Sequence, residues 1–270
     1  MRRVALIVNP SAGGGRALRA LPLVQERLRA LGVEARTERT RDLEHARELA
    51  RAAVAADEVP VTLSGDGLIG AVAGALRELP GATMGVLPGG RGNDFARVTG
   101  IPLDPEAACE VVAHGVPKPV DVGDVAGRTF IGIASLGFDS DANRIANEAP
   151  ARLGQLVYLY GALRALAAWK PATFTLSVDG TTRTFEGWSV GACNSKAYGG
   201  GMYAAPSAEL DDGALDVVYC RRTSKARFLA QVLPRIFKGT HVELPYVEVL
   251  RGAEVRIDAD RPFTVYADGD

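Results

Sequence analysis

The chain has 270 residues, enough for one large domain or two of ordinary size, and its 47% hydrophobic and 23% charged residues exclude a disordered polymer. Lys+Arg 31 against Asp+Glu 32 gives a formal net charge of -1, so no polybasic field points to nucleic acid as a partner. Cys109, Cys193 and Cys220 stand far apart with no CxxC, which argues against a disulfide framework or a zinc site and for a reducing cytosol.

The apolar run Val4 to Val8 stops at Asn9-Pro10, too short for a signal peptide. No stretch of about 18 apolar residues offers a membrane span. A cytoplasmic protein is expected.

The first 120 residues repeat one unit. Val4 to Val8 reads as a strand buried on both faces, and Asn9-Pro10-Ser11-Ala12-Gly13-Gly14-Gly15 breaks it. Leu18, Leu21, Val24, Leu28 and Leu31 then recur at helical spacing up to Gly32, and a second helix pattern runs through Leu43, Ala46, Leu49, Ala50 and Ala53. Val59 to Leu63 is a strand closed by Ser64-Gly65-Asp66-Gly67, followed by a helix marked by Ile69, Val72, Ala73 and Leu76. Met84 to Leu87 is a strand ending at Pro88-Gly89-Gly90-Arg91-Gly92-Asn93-Asp94. Strand, glycine-rich loop and helix in succession predict an α/β domain with a parallel sheet over 1–120.

Over 121–270 strands follow strands: Asp121–Val125, Thr129–Ser135, Thr173–Val178, Thr181–Glu186, Trp188–Cys193, Leu215–Cys220, Glu254–Asp258 and Phe263–Tyr266. Asp179-Gly180 is the strongest hairpin signal, and helical patterns interrupt at Ala151–Trp169 and Lys225–Lys238. This half predicts a mostly antiparallel β-sandwich.

Three glycine-rich loops on one sheet edge, each before a helix N-terminus, suit a polyphosphate, although parallel sheets need glycine at such turns anyway. No Walker A sequence and no dinucleotide fingerprint occurs. Asp66, at a strand's end, either faces a metal-bound nucleotide or caps a helix. His45, His114 and His241 share no ligand spacing.

Asn9-Pro10-Ser11-Ala12-Gly13, Ser64-Gly65-Asp66-Gly67 and Pro88-Gly89-Gly90-Arg91-Gly92-Asn93-Asp94-Phe95-Ala96-Arg97 resemble the three signatures of the diacylglycerol kinase catalytic domain, which bacterial lipid kinases share with sphingosine and ceramide kinases. The likeness continues through Gly137-Phe138-Asp139, Ala192-Cys193-Asn194, Gly199-Gly200-Gly201-Met202 and Leu210-Asp211-Asp212-Gly213, to Asp268-Gly269-Asp270. It implies an ATP- and Mg²⁺-dependent kinase acting on a diacylglycerol-like lipid at the inner membrane face. ATP would lie against Asn9, Pro10, Ser11, Ala12, Gly13, Thr40, Ser64, Gly65, Asp66, Gly67, Leu68, Ile69, Gly70, Arg91, Asn93 and Asp94. Asp268 and Asp270 match the carboxylates that accept the lipid hydroxyl's proton, with Asp66 in the same catalytic group. Glu209, Asp212 and Ala214 match a structural Mg²⁺ site, or else form an ordinary hairpin turn.

The sequence departs from that pattern. Leu68 stands for the usual Thr, Gly70 for Asn, Ala71 for Glu, and Asp270 for Glu. Arg91 replaces another Thr; its guanidinium either forks onto a phosphate or fills the adenosine pocket. The family's members continue beyond the final turn, whereas this sequence ends at Asp270. These departures leave a non-catalytic lipid-binding or regulatory module as the alternative, with an NAD-kinase-like activity as a second one among enzymes. The segment Leu153 to Trp169, apolar nearly all round, is either buried or one wall of a lipid cleft in peripheral contact with a membrane. An edge strand of the β half leaves a homodimer open.

Overall fold

Uninterrupted apolar residues from Val4 to Val8 call for a strand covered on both faces, and all five are buried. In the computed structural model, which describes residues 2–149 and 156–268, they belong to β1 (Arg3–Val8). With β2 (Glu34–Arg39), β3 (Val59–Ser64) and β4 (Gly85–Pro88) it forms a parallel sheet ordered β2-β1-β3-β4. Helices α1 (Arg16–Ala30), α2 (Leu43–Ala55), α3 (Asp66–Leu76), α4 (Asp94–Thr99) and α5 (Pro105–His114) connect and cover it.

The period-2 alternation of β1 serves two cores. Val4, Leu6 and Val8 pack with Leu21, Val24 and Leu28 of α1 and Ala108 and Val112 of α5. Ile7 packs with Ala46 and Ala50 of α2 and with Leu68, Val72 and Leu76 of α3. A hairpin of β5 (Gly123–Val125) and β6 (Arg128–Phe130) completes this unit, which spans Met1–Ile131.

The second unit spans Gly132–Asp270. It contains β7 (Ile133–Gly137), α6 (Phe138–Glu148), α7 (Leu156–Ala168), β8 (Ala172–Val178), β9 (Thr181–Cys193), β10 (Ala197–Tyr198), β11 (Met202–Tyr203), β12 (Leu215–Arg221), β13 (Val247–Gly252), β14 (Val255–Ala259) and β15 (Tyr266–Ala267). Every strand pairing here is antiparallel, as the sequence predicts. The first half of β9 pairs with β8 across the Asp179-Gly180 turn, and its second half lies between β7 and β12. Phe174, Leu176 and Val178 of β8 meet Leu136, Val190, Val217 and Tyr219 in one core, so the sheet folds over on itself.

Several boundaries differ from the sequence reading. The two strands expected at Thr181–Glu186 and Trp188–Cys193 are one strand, continuous through Gly187. A Cβ there would lie 2.5 Å from the Cys220 carbonyl oxygen, and the β9–β12 register shifts between Cys220 and Arg221; the close approach needs glycine and bends the strand. The strand expected at Thr129–Ser135 is broken between Phe130 and Ile133, where the two units divide. Phe263 stacks on aromatic neighbours instead of joining a ladder, so the last strand is only Tyr266–Ala267.

The helix expected at Ala151–Trp169 is described as Leu156–Ala168; 151–155 lie outside the described residues, as do Gly269 and Asp270. The stretch 225–236 is helical, with one wider π turn at Phe228–Val232. Its buried residues Phe228, Val232 and Ile236 are four apart, and the wider turn keeps that spacing on one face. Among the described residues no helix is long and apolar enough to cross a membrane.

Candidate functional site

The three glycine-rich loops of the first unit touch one another backbone to backbone. Asn9 begins the first loop, its Oδ1 accepting hydrogen bonds from the Ser11 N–H at 3.0 Å and the Ser11 hydroxyl at 2.8 Å. Gly13 has φ 58°, and a Cβ on it would lie 2.6 Å from the Gly89 carbonyl oxygen. A Cβ on Gly90 would lie 2.5 Å from the Gly65 Cα. The Gly89 N–H donates to the Ser64 carbonyl at 2.7 Å, and Arg16 Nη1 donates to the Gly90 carbonyl at 3.1 Å. Close mutual packing therefore requires the glycines, independently of any ligand.

Two side chains lock the third loop. Buried Asn93, at φ 52°, accepts the Gly90 N–H on Oδ1 at 2.8 Å and donates Nδ2–H to the Gly90 carbonyl at 3.2 Å. Asp66 accepts the Asp94 N–H on Oδ2 and the Phe95 N–H on Oδ1, each at 3.0 Å. Its carboxylate thus caps α4, although Asp66 itself is the first residue of α3. Asp94 is buried, 3.8 Å from Arg97 Nε.

Thr40 and Ser64 are buried at the ends of β2 and β3, with the Thr40 N–H on the Val8 carbonyl at 2.9 Å. Leu68 and Ile69 have interior side chains; Leu68 shares an apolar cluster with Ile7, Ala46 and Ala50. Gly70 and Ala71 are buried as well, while Arg91 is exposed. Asn9 to Gly13, Ser64 to Gly67, Gly89 to Asp94 and Asp66 are thus brought together by direct contacts in one loop cluster.

In the second unit Asp268 follows β15 at φ 54°. Its Oδ1 accepts both the Gly132 N–H at 2.8 Å and the Ile133 N–H at 3.1 Å, while its own N–H donates to the Ile133 carbonyl at 3.0 Å. Asp212 Oδ1 accepts the Ala214 N–H at 3.0 Å, and its Oδ2 meets the Arg251 guanidinium. Asp216 sits opposite Arg251 in the β12–β13 register. Burial raises the Asp216 carboxyl above its ordinary value, Arg251 opposes this, and Asp212 and Glu209 add to it. Among the described residues no three His, Cys, Asp or Glu side chains are grouped to hold a metal ion. Asp139, on α6, is pushed up to about 6 by burial, which the Ser189 hydroxyl partly offsets.

Sequence reasoning did not anticipate Arg16, Arg251 or Ser189. Arg251 has no motif of its own; only the β12–β13 register brings it to Asp212, 39 residues earlier. Nor did it anticipate α4 and α5; the signal that could have found α5 is Asp104-Pro105, whose carboxylate accepts the Ala107 N–H at 3.0 Å.

Comparison with known proteins covers both units. Residues 3–125 match the diacylglycerol kinase catalytic domain, and residues 132–270 match the YegS C-terminal NAD kinase beta sandwich-like domain. The chain is 35% identical to a diacylglycerol kinase of Mycobacterium tuberculosis, over 99% of this chain and 88% of that protein. It is 29% identical to a diacylglycerol kinase of Bacillus subtilis, over 100% of this chain and 90% of that protein. A crystal structure of a diacylglycerol kinase from Bacillus anthracis shares the fold, with a TM-score of 0.76 at 22% identity over 99% of this chain and 89% of the other.

Proposed function

Because the chain belongs to the bacterial diacylglycerol and lipid kinase family, we propose that it transfers the γ-phosphate of ATP to a hydroxyl of diacylglycerol or a related lipid. The observation that carries this reading beyond family membership is the interlocked loop cluster, in which Gly13, Gly65, Gly89 and Gly90 bring three backbones together beside helix N-termini. In this reading Asn9 to Gly13, Ser64 to Gly70 and Arg91 receive the nucleotide, largely through backbone, because Leu68 and Ile69 have interior side chains. Asp66 and Asn93 hold the third loop in the receiving shape. Bound Mg²⁺ would neutralise phosphate charge as the γ-phosphoryl leaves.

Asp268 accepts the proton of the attacking hydroxyl, a primary alcohol being a poor nucleophile until a carboxylate takes that proton. Two backbone N–H groups on one oxygen fix the direction of its carboxylate. Asp270 stays a second candidate from the family pattern. At the 209–214 turn, oxygen donors and the strained charge of Asp216 beside Asp212 and Glu209 suit a divalent cation. Mg²⁺ there would take Asp212 from Arg251, with the Glu209 and Ala214 carbonyls as further ligands.

The test is Mg²⁺-dependent transfer from labelled ATP to a panel of micellar lipids, run beside Asp268→Asn. Labelled lipid that vanishes in the variant supports the kinase and names the acceptor. If the protein binds no ATP even at millimolar concentration, the interior Leu68 becomes the mark of a non-catalytic lipid-binding module and the kinase reading falls.

A further inference from the structure

The turn before β12 gathers charge of one sign. Glu209, Asp211, Asp212 and Asp216 fall within eight residues, and 197–220 contains no Lys, Arg or His. The cation that meets them comes from β13. Arg251 stands opposite Asp216 in the strand register, and its guanidinium pairs with Asp212 Oδ2. Asp212 is the inner partner, its side chain 14% exposed against 54% for Arg251. Its other oxygen accepts the Ala214 N–H at 3.0 Å, a contact within the turn that does not depend on which cation faces it.

Asp216 is the member that this ion pair does not account for. It is 7% exposed, yet its carboxylate has neither a hydrogen-bond donor nor an ion-pair partner among the described residues. A buried carboxylate left in that state is costly. The charges that act on it are those of Arg251, Asp212 and Glu209, so it faces the same cluster. One guanidinium, itself half in water, thus balances two inner carboxylates and the two exposed ones, Glu209 and Asp211. A single positive charge leaves this set negative; a double one at Asp212 brings it closer to balance.

We infer that Arg251 is a built-in stand-in for the divalent cation of this turn, holding Asp212 while no metal is bound and yielding it when metal binds. The inference rests on the reading of 209–214 as a metal site and deepens it: Arg251 sets how tightly the cation is held and keeps the second unit folded without it. The donors are oxygens, which suit a hard cation such as Mg²⁺. Among the described residues β13 pairs with β12 alone, and the Arg251 side chain is more than half exposed, so its guanidinium can turn into water at small cost. A purely structural ion pair would explain neither the acid excess nor the partnerless carboxylate of Asp216.

The test uses Mn²⁺ as the probe, without ATP or lipid, and reads binding from the loss of the free ion's paramagnetic resonance signal. Arg251→Gln should bind Mn²⁺ about five-fold more tightly or better, because the lost ion pair and the lost repulsion act in the same direction. Unfolding midpoints in chelator and in excess Mg²⁺ give the second readout. The variant's midpoint should fall below the parent's in chelator and recover in Mg²⁺. Asp212→Asn should abolish the Mg²⁺ response with either residue at 251.

Equal Mn²⁺ affinity in parent and Arg251→Gln would overturn the exchange. So would a variant midpoint that stays down in Mg²⁺, which makes Arg251 a structural pair and nothing more. Binding that survives Asp212→Asn puts the cation elsewhere and has the same consequence. Failure of the kinase reading is separate, because no turnover is measured. A chain that labels no lipid can still exchange its cation, and a kinase whose Mn²⁺ affinity ignores Arg251 is still a kinase.

Discussion

Asp66 in the first unit and Asp268 in the second each accept two backbone N–H groups, with different distributions. Asp66 places one on each oxygen, from Asp94 and Phe95, so its carboxylate lies across the start of α4. Asp268 receives both, from Gly132 and Ile133, on Oδ1. The first pattern ties both oxygens of the carboxylate into a joint between two loops. The second gathers two N–H donors on one oxygen. The two carboxylates therefore differ in how they are held, one through both oxygens and one with two donors on a single oxygen, a difference that sequence position alone does not reveal.

The sharpest way to break this comparison is to remove charge at each site without removing shape. In Asp268→Asn the amide oxygen still accepts both N–H groups, so the unfolding midpoint and ATP binding should hold. Turnover should fall at least ~100-fold, the loss expected when a general base is taken away. Turnover within a factor of a few of the parent would move the proton acceptor elsewhere, with Asp270 next in line. In Asp66→Asn one amide oxygen keeps one N–H, while the amide NH₂ confronts the other donor. A buried unsatisfied N–H costs about 2 kcal/mol, roughly 4–8 °C in the midpoint of a domain of this size. KM for ATP should rise with it, and kcat should change little. A collapse of kcat at an unchanged midpoint would make Asp66 catalytic instead.

How much of this was legible depends on how local the cause is. The apolar run of β1 and the positive φ of Gly13 to Gly15 are local demands, so the parallel half and its loops could be read from sequence. The edge strand β2, Glu-Ala-Arg-Thr-Glu-Arg, has no apolar pattern; its charges suit a sheet edge, and only its pairing with β1 makes it a strand. The contacts of Gly13 with Gly89 and of Gly65 with Gly90 join loops far apart in sequence, as does the reach of Asp66 to α4. Residue type was visible at these places. Partner identity was not, because nothing in a single sequence records which loop another loop meets. Leu68 shows the same limit: its place in the loop was legible, but that its side chain lies in the core with Ile7, Ala46 and Ala50 was not.

A third carboxylate extends the comparison to a smaller effect. Asp139 is half-buried beside the Ser189 hydroxyl and holds its proton up to about pH 6, against 3.8 for the ordinary group. The folded chain thus binds this proton more tightly than the unfolded chain. Its contribution to stability is full below 3.8 and is lost as pH rises through about 6. Asp139→Asn cannot ionise and should raise the midpoint by a few degrees near pH 8 while leaving it unchanged near pH 4. An equal shift at both pH values would trace the change to packing and not to the buried charge.

The smallest expected effect concerns Arg91, an exposed cation on the third loop whose neighbour Gly90 is buried. An exposed side chain can change without disturbing the glycine contacts beneath it, so Arg91→Thr should leave the unfolding midpoint alone. The two roles open to the guanidinium then separate by sign. A phosphate ligand lost to Thr should raise KM for ATP several-fold, the equivalent of about 1 kcal/mol for a charge-assisted bond exposed to water, with kcat nearly unchanged. A side chain obstructing the adenosine pocket would give the reverse, a lower KM in the variant. We expect the rise, because the anchored geometry of Gly90 and Asn93 on either side fixes the loop while Arg91 stands exposed between them. The same measurement with ADP in place of ATP tells whether the guanidinium reads the terminal phosphate: a difference between parent and variant that disappears with ADP places Arg91 at the γ position, next to the bond that breaks.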